Sequence, residues 1–541
     1  RLGPGERAVL ERGAVIGKEF RLDDVVALID PEAAPTTEVH LNTLAARGFV
    51  RPAAPGEFRF RHVLVQEAVY RAAPKRLRAE LHERFIDRFE GRLEGSAALA
   101  EFTGYHLEQA FRLRSELGES DRHTAQLAED AGRRLGEAGF GALKRGDMPA
   151  TVNLLDRATA LLPLEDEMRH ELMSELAIAQ YVAGDSAAAH ESLDNAIAGA
   201  ERAGQRRVEL RARIEAAYLR LLTEPEGAAG DLLAVAQAAV PAFEAIGDAR
   251  SLARAWLLIG YVQGGIHGNH AAWEEAEERA LAYYRSTGFP ATTCIGQIAA
   301  ALYWGPTHVT QAIERCEQLL ADESLGQFGR AAAVPYLGGL HAQAGRLSNA
   351  RELIAEAEHT YEELGSPTAV IHCGTVRADL EFLAADFVAA EETLRTQCEY
   401  LELIADRAHL AVRAAKLAEA VYRQGRLDEA EHWVTVSRSN AATDDQSAQL
   451  VLGAVESKLL ARRGAVTEAL EYAEGIVRLA ETTDGLNLVA ATKLALAEVL
   501  RIAQLHAEAQ RSIEHAIALF EQKGNSVAES QARDLLNLVP A

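Results

Sequence analysis

The residues best placed to do chemistry lie in "FRFRHVLVQEAVYRAAPKRLRAELH", from Phe58 to His82. A strand-like alternation, Phe58-Arg59-Phe60, passes straight into a helical pattern, with Arg61 and His62 at the junction. A guanidinium and an imidazole beside the first N–H groups of a helix make a natural phosphate-binding pair, because a helix N-terminus carries partial positive charge and unpaired donors. The plainer reading is a histidine that caps the helix and bonds within its own domain. Further along, Lys75, Arg76 and Arg78 place positive charge on one face of "PKRLRAELHERF", suited to an acidic neighbouring domain or to DNA.

A second group is aromatic. Trp256, Tyr261, Trp273, Tyr283, Tyr284, Tyr303 and Trp304 fall within about fifty residues, although only 6% of the chain is aromatic. Trp and Tyr combine large contact area with a polar handle, which suits a ligand or partner site. Rings of this size also fill the core between long helices, and both readings stand. Between them, "GGIHGNH" offers glycines where a ligand can approach backbone, and His267 and His270 are spaced to meet on a metal across one helical turn. That string is turn-like, however, and no carboxylate or Cys completes a set, so no metal is expected.

Other chemistries find no support. A hydrolase elbow of the G-x-S-x-G type is missing. The string nearest a phosphate-binding P-loop is "GAVIGKE", Gly13 to Glu19. It is one residue short, carries Glu19 where a Mg²⁺-binding hydroxyl belongs, and follows a helix rather than a strand. The chain is therefore expected to be no enzyme and to hold no cofactor of its own.

The elements that must position these residues divide the chain in four. Residues 1–92 read as three helices and a two-stranded wing. "GERAVLERGAVIG" is amphipathic through Val9, Leu10, Ala14 and Ile16. "RLDDVVALI" begins with Asp23 and Asp24, favoured by the helix dipole. "PTTEVHLNTLAARGFV" has Thr36 or Thr37 to cap it and Gly48 to end it. "FVRPAAPGEFRFRH" is a hairpin around a Pro/Gly loop. Together they predict a winged-helix domain, followed by "VLVQEAVYRAAPKRLRAELH" as the helix leading onward. The third helix offers Glu38, His40, Asn42 and only Arg47 as a cation, so direct nucleic-acid binding is not expected.

Residues 93–123 read as a helical linker, 124–524 as a repeat array and 525–541 as a terminal helix or cap. The array announces itself by turns at Gly146, Gly184, Gly345, Gly425 and Gly464, each followed by a helix with Ala a few positions on. Weaker turns near Gly227, Gly268, Gly305, Ala385 and Gln504 complete a series with steps of roughly 37 to 43 residues. The clearest unit places Leu337 and Gly338 on its first helix, Gly345 at the turn, and Ala350, Ile354 and Ala357 on its second, closely resembling the tetratricopeptide pattern. Another opens Trp256, Ile259, Gly260, with Gln263 where that pattern has Tyr. The expected fold is all-α: a tetratricopeptide-like α-solenoid of about ten helix pairs behind a small winged-helix domain. Each unit should touch only its neighbours, giving a curved ribbon with a long concave binding face.

With these parts named, the succession "LERGAVIGKEF … LNTLAARGFV … FRFRHVLVQEAVYRAAPKRLRAELH" followed by repeats resembles the portion behind the ATPase core in bacterial STAND signalling ATPases. These include LuxR-type transcription regulators and proteins associated with class III adenylate or guanylate cyclases. The resemblance implies an upstream ATPase domain that binds ATP or ADP with Mg, a winged helix, and repeats that sense a protein partner or small inducer. It also implies a role for "RHV": relatives carry Met-His-Asp, whose His reaches the phosphates of ADP. Arg61 takes the Met position, His62 keeps the His, and Val63 replaces the Asp. The alternative is a free-standing tetratricopeptide scaffold for protein–protein interaction without nucleotide.

Composition agrees with a folded chain that avoids polyanions. The 541 residues are 48% hydrophobic and 25% charged, with a formal net charge of −24. Residues 1–92 carry +2 and the rest −26, so the repeat region repels nucleic acid and anionic lipid. Cys294, Cys316, Cys373 and Cys398 are too sparse for a disulfide framework and read as small buried residues of a reducing cytoplasm. No signal peptide or bilayer-spanning run is apparent, so no membrane is expected. The opening Arg1 leads us to expect a piece of a longer protein.

Overall fold

The computed structural model describes residues 2–87, 97–287, 292–322 and 325–539. Its contacts form two compact units. One comprises Arg1–Ala142 with Ala150–Met173, the other Leu143–Pro149 with Ser174–Ala541. The boundary expected at residues 92–93 lies outside the described residues.

The first unit begins with α1 (Pro4–Ile16), which buries Val9, Leu10, Ala14 and Ile16, the stripe its periodicity predicts. Gly13 to Ile16 are helical and Glu19 opens a strand, so the P-loop-like string is a helix end. A short strand β1 (Glu19–Arg21) precedes α2 (Leu22–Leu28), and α3 (Thr37–Ala46) follows. The hairpin is β2 (Val50–Ala54) and β3 (Glu57–Phe60), with Val50 opposite Phe60 and Arg51 opposite Arg59. The sheet has three antiparallel strands in the order β1-β3-β2, not two. Three residues are too few to show a period, and β1 exists because Phe20 pairs with Phe58 and packs on Phe60, ring centres 6.2 and 5.5 Å apart. These rings join Leu41, Leu44, Leu81 and Phe85 in one core.

Two local expectations change. Thr36 holds the N-cap position of α3, but its hydroxyl donates back to the Ala33 carbonyl at 2.9 Å instead of capping. The segment after the sheet is two helices, α4 (Val63–Ala72) and α5 (Lys75–Asp87), split at Pro74, whose missing N–H and ring end α4. The basic face of α5 is neutralised within the unit. Lys75 pairs with Glu116 and Arg76 with Glu119, both at 3.1 Å, and the Arg78 guanidinium lies 4.7 Å above the Tyr70 ring. Helices α6 (Ala97–Glu116), α7 (Arg122–Arg145) and α8 (Met148–Leu161) follow. Gly139 of α7 meets α8 so closely that a Cβ would stand 2.4 Å from Leu155.

The remaining helices alternate as first and second members of pairs: α9 (Glu167–Val182) and α10 (Ser186–Arg202), α11 (Arg206–Thr223) and α12 (Ala228–Ile246), α13 (Ala249–Tyr261) and α14 (His270–Thr287), α15 (Thr292–Trp304) and α16 (Val309–Leu320), α17 (Gln327–Gln343) and α18 (Leu347–Glu363), α19 (Pro367–Leu383) and α20 (Phe387–Leu403), α21 (Arg407–Arg423) and α22 (Leu427–Asn440), α23 (Gln446–Arg462) and α24 (Val466–Ala480), α25 (Leu486–Ile502) and α26 (His506–Lys523), with α27 (Ser526–Asn537) last. With α7 and α8 of the first unit this makes ten helix pairs among the described residues, and those of the second unit form a tetratricopeptide-like solenoid. In the clearest unit Ala350, Ile354 and Ala357 are fully buried against α17, and a Cβ on Gly338 would come within 3.1 Å of the Ala350 carbonyl. The turn inside nine of the ten units uses a left-handed residue, even where it is Ala385 (φ 56°) or Gln504 (φ 63°), and only the α15–α16 turn at Gly305 does without one. Helix α12 is 19 residues long and apolar enough to cross a membrane, with mean hydropathy 1.3. It buries Leu232, Ala236 and Phe243 as the second member of its pair.

The second unit is not an open ribbon of units that touch only their neighbours. Its turns stack. Lys523 at the end of α26 donates to the carbonyls of Leu302, Gly305 and Thr307 at 2.8, 2.7 and 2.8 Å. Asp484 accepts from the backbone N–H groups of His270 and Ala271, each at 2.8 Å. Tyr181 donates to Asp406 at 2.5 Å, and Thr368 to the Val182 carbonyl at 2.7 Å. Most of these partners lie 213 to 225 residues apart, so the superhelix closes on itself every five to six units. The carbonyls at the C-terminal end of α15 lack helical partners and carry the negative end of its dipole, which is why a buried ammonium suits them.

Two outcomes follow from this packing. Lys523→Met leaves three buried carbonyls unpaired and is expected to destabilise the protein by about 3 kcal/mol. Small-angle scattering should show the variant expanding before it unfolds. Ala385→Gly removes a left-handed alanine and should stabilise by about 0.5–1 kcal/mol, read as a higher urea midpoint at unchanged slope.

Candidate binding surface

In the first unit, His62 occupies the N-cap of α4 in extended conformation, yet its imidazole makes no capping bond. It has no hydrogen-bond partner among the described residues and is exposed, as are Arg61, Val63 (48%) and Leu64 (72%). Arg61 lies against the backbone at Gly48, and its N–H bonds the Phe49 carbonyl at 3.1 Å. The junction thus presents a guanidinium, an imidazole and two apolar side chains to solvent. The bound histidine of the stretch is His82, fully buried, with Nδ1 2.7 Å from Nδ1 of His106 and Nε2 3.0 Å from the Tyr70 hydroxyl. Burial holds both imidazoles below their usual range, His106 at about 4. His106 Nε2 is unpartnered beside the Phe85 and Phe102 rings. A bare nitrogen is less costly there than an orphaned N–H, so the proton sits on His106 Nδ1 and is donated to His82.

In the second unit, four of the seven aromatic candidates come together. Trp273 stacks on Trp304 with ring centres 6.2 Å apart, Tyr303 tilts against Trp304 at 5.5 Å, and Tyr261 meets Trp273 edge-on at 6.5 Å. Tyr336 of α17, 5.4 Å from Trp304, and Tyr218 of α11, 5.7 Å from Tyr261, extend the group. Trp273 and Tyr303 are core residues, while Tyr261, Trp304 and Tyr336 keep part of their surface open. The other three go elsewhere. Trp256 lies under the Arg279 guanidinium at 4.6 Å, Tyr283 is half-buried on α14, and Tyr284 is buried near Arg254 and Arg211. His267 and His270 do not converge either. His267 ends the turn after α13, and His270 Nδ1 bonds Asp484 at 2.8 Å.

Beside the aromatic group runs a polar network that has no motif in the sequence. Asp406 caps α21 by accepting from the His409 N–H at 3.1 Å, and takes bonds from Tyr181 and from His409 Nδ1 at 2.5 and 2.8 Å. His409 Nε2 then accepts from the Tyr261 hydroxyl at 3.1 Å, and the His372 ring stands 4.6 Å away. Burial would raise the Asp406 carboxyl, but His409 and Tyr181 outweigh it and hold it low. Burial drives the Tyr261 hydroxyl well above its ordinary value, so it serves as a donor and not as a nucleophile. The only advance signal was spacing. Asp406, His409, Arg413 and Lys416 in "DRAHLAVRAAK" fall on one helical face.

Next to Trp273 is Glu277, fully buried, with neither carboxyl oxygen hydrogen-bonded among the described residues. Burial pushes its carboxyl far up, against weak help from the Cys294 thiol and the Trp273 indole. Burial without a partner therefore favours its protonated form.

No protein-family model matches the chain, and no curated protein matches it. Solved structures similar to it include the Cut9–Hcn1 hetero-tetramer of the APC/C, at 12% identity, 88% of this chain, 89% of that one and TM-score 0.47. Another is a signal transduction ATPase with numerous domains and a tetratricopeptide repeat sensor from Pyrococcus horikoshii, at 11% identity, TM-score 0.31 and 99% of this chain. The chain spans 66% of that protein's length. Yeast Tom70 matches at 13% identity over 85% and 96% of the two chains, TM-score 0.35. Likenesses of this size carry no argument about what the chain binds.

Glu277 supplies a pH test. The folded state holds its proton above the pH at which the unfolded chain releases it, so this group makes stability fall as pH rises from about 4.5. Glu277→Gln removes that slope. Melting scans at pH 5 and pH 8 should show the variant gaining on the native protein at pH 8.

Proposed function

We propose that the chain is a regulatory, non-catalytic binding module that works as the sensor arm of a STAND signalling ATPase. In this reading a protein partner or small inducer occupies the inner face of the solenoid. Binding shifts an equilibrium between two arrangements of the sensor and the nucleotide switch, which requires different affinity for the two. The observation that carries the reading is the junction at Arg61 and His62. A histidine at a helix start whose imidazole is exposed and makes no capping bond, flanked by exposed Val63 and Leu64, is what a contact with a further domain and its phosphates would need. Arg61 and His62 would meet ADP or ATP held with Mg by an upstream ATPase domain, and the winged-helix reading of the first unit belongs to the same proposal. The module would act in the cytoplasm, in transcription regulation or beside a nucleotide cyclase.

A second reading is a free-standing scaffold that assembles proteins without nucleotide. The solenoid and its partly exposed aromatic group support it equally.

The gene decides between them. A Walker A motif encoded upstream of Arg1 is expected, and its absence would leave the scaffold. The full protein should bind ADP, with His62→Ala weakening it roughly tenfold, the loss of one charge-assisted phosphate bond. Unchanged ADP affinity in that variant removes His62 from the nucleotide site.

A further inference from the structure

Buried arginines on the first helices of the second unit are matched to carboxylates, and Arg413 stands apart from them. Arg254 grips Glu215 through two bonds of 2.7 and 2.6 Å, and Arg211 and Arg250 share Glu175 at 2.8 and 2.6 Å. Arg413 is only 7% exposed and makes no hydrogen bond or ion pair among the described residues, leaving its Nε buried and unpartnered. A buried guanidinium stays charged, so isolation of this kind is costly unless something else completes it. Burial lowers the Arg413 pKa despite Asp379, Tyr336 and Asp406 nearby, which marks the charge as under-compensated.

The surroundings indicate what is missing. Asp379 does not serve, because it is held by Lys416 and by the Tyr303 hydroxyl, the latter at 3.3 Å. Asp406 is engaged by Tyr181 and His409. On α19, Thr375 lies between His372 and Asp379 on one helical stripe, and its buried hydroxyl is also without a partner. Tyr336, which feels the Arg413 charge, is also the half-buried edge of the Trp273–Trp304 stack. Arg413 is thus unpaired near Tyr336, whose ring meets Trp304 edge-on at 5.4 Å, and Thr375 carries a second unpaired group on α19. Two carboxylates close by disfavour a dianion, and a single guanidinium matches a single planar carboxylate.

We propose that the inner face of the solenoid holds an anion subsite centred on Arg413, which takes the carboxylate of a small aromatic monocarboxylic acid whose ring lies against Trp304 and Tyr336. This deepens the inducer-binding reading above and rests on it. The Arg413 fork binds the carboxylate bidentately, and the ring covers the open aromatic edges. Binding is coupled to the superhelix, since Arg413 sits one helical turn from His409, whose network joins α9, α13 and α21.

The test uses benzoate as probe, with benzamide, phenyl phosphate and sodium chloride of equal ionic strength as controls. Benzoate should raise the melting temperature and quench tryptophan fluorescence saturably, while benzamide and chloride should not. Arg413→Gln should lose at least roughly tenfold in affinity, and Arg413→Lys, which keeps charge but not the fork, should fall between. Without ligand, Arg413→Gln should be at least as stable as the native protein, because it removes an uncompensated buried charge. Benzoate acting no better than chloride, equal binding by Arg413→Gln, or tighter binding of phenyl phosphate would each overturn the proposal. Failure here leaves the nucleotide reading standing, because that one is decided by ADP affinity.

Discussion

The ammonium of Lys523 against three carbonyls at the end of α15 is the contact on which the second unit's form depends. A helix pair buries one side on the pair before it and the other on the pair after, which fixes local curvature and leaves pitch free. Pitch is set where successive turns meet. There the loose ends of helices need partners, and Lys523, Asp484, Asp406 and Thr368 provide them. These groups are buried and polar, so each would be a liability if the turns separated. The solenoid is thereby held as a closed spring.

Closure makes the inner face. Tyr181 and Tyr261 reach Asp406 and His409 only because α9 and α13 lie against α21, across 225 and 148 residues of chain. The aromatic group around Trp304 is built from the first helices α13, α15 and α17 with Trp273 of α14, and Tyr261 links it to that network. What looked from spacing like a cluster of seven rings is a smaller surface of two kinds. Trp273 and Tyr303 are structural, while Tyr261, Trp304 and Tyr336 remain partly open beside an arginine without a counterion.

Glu277 and the His82–His106 pair show the same economy by different means. In each, burial favours the neutral form, raising the Glu277 carboxyl and lowering the two imidazoles. Their opposite signs make stability depend on pH from both directions.

Much of this was legible in residue order. Helices α1 to α3, the hairpin, the turns near Ala385 and Gln504 and the forty-residue step all follow from local rules: periodicity, helix stops, and the small residues at Gly338, Ala350 and Ala357. Strand β1 has no signature in residue order because three residues carry no period, and the break at Pro74 is masked because the helical pattern resumes after it. The rest was not written locally at all. That Lys523 meets Thr307, that Asp406 meets Tyr181, and that Arg413 meets no carboxylate are outcomes of superhelical pitch, the sum of small rotations over five to six units. The sequence by itself determined the repeat and its chemistry-bearing side chains. Only the tertiary structure decided which were satisfied, because partners some 216 residues apart are chosen by geometry accumulated along the array and by no pattern within any one unit.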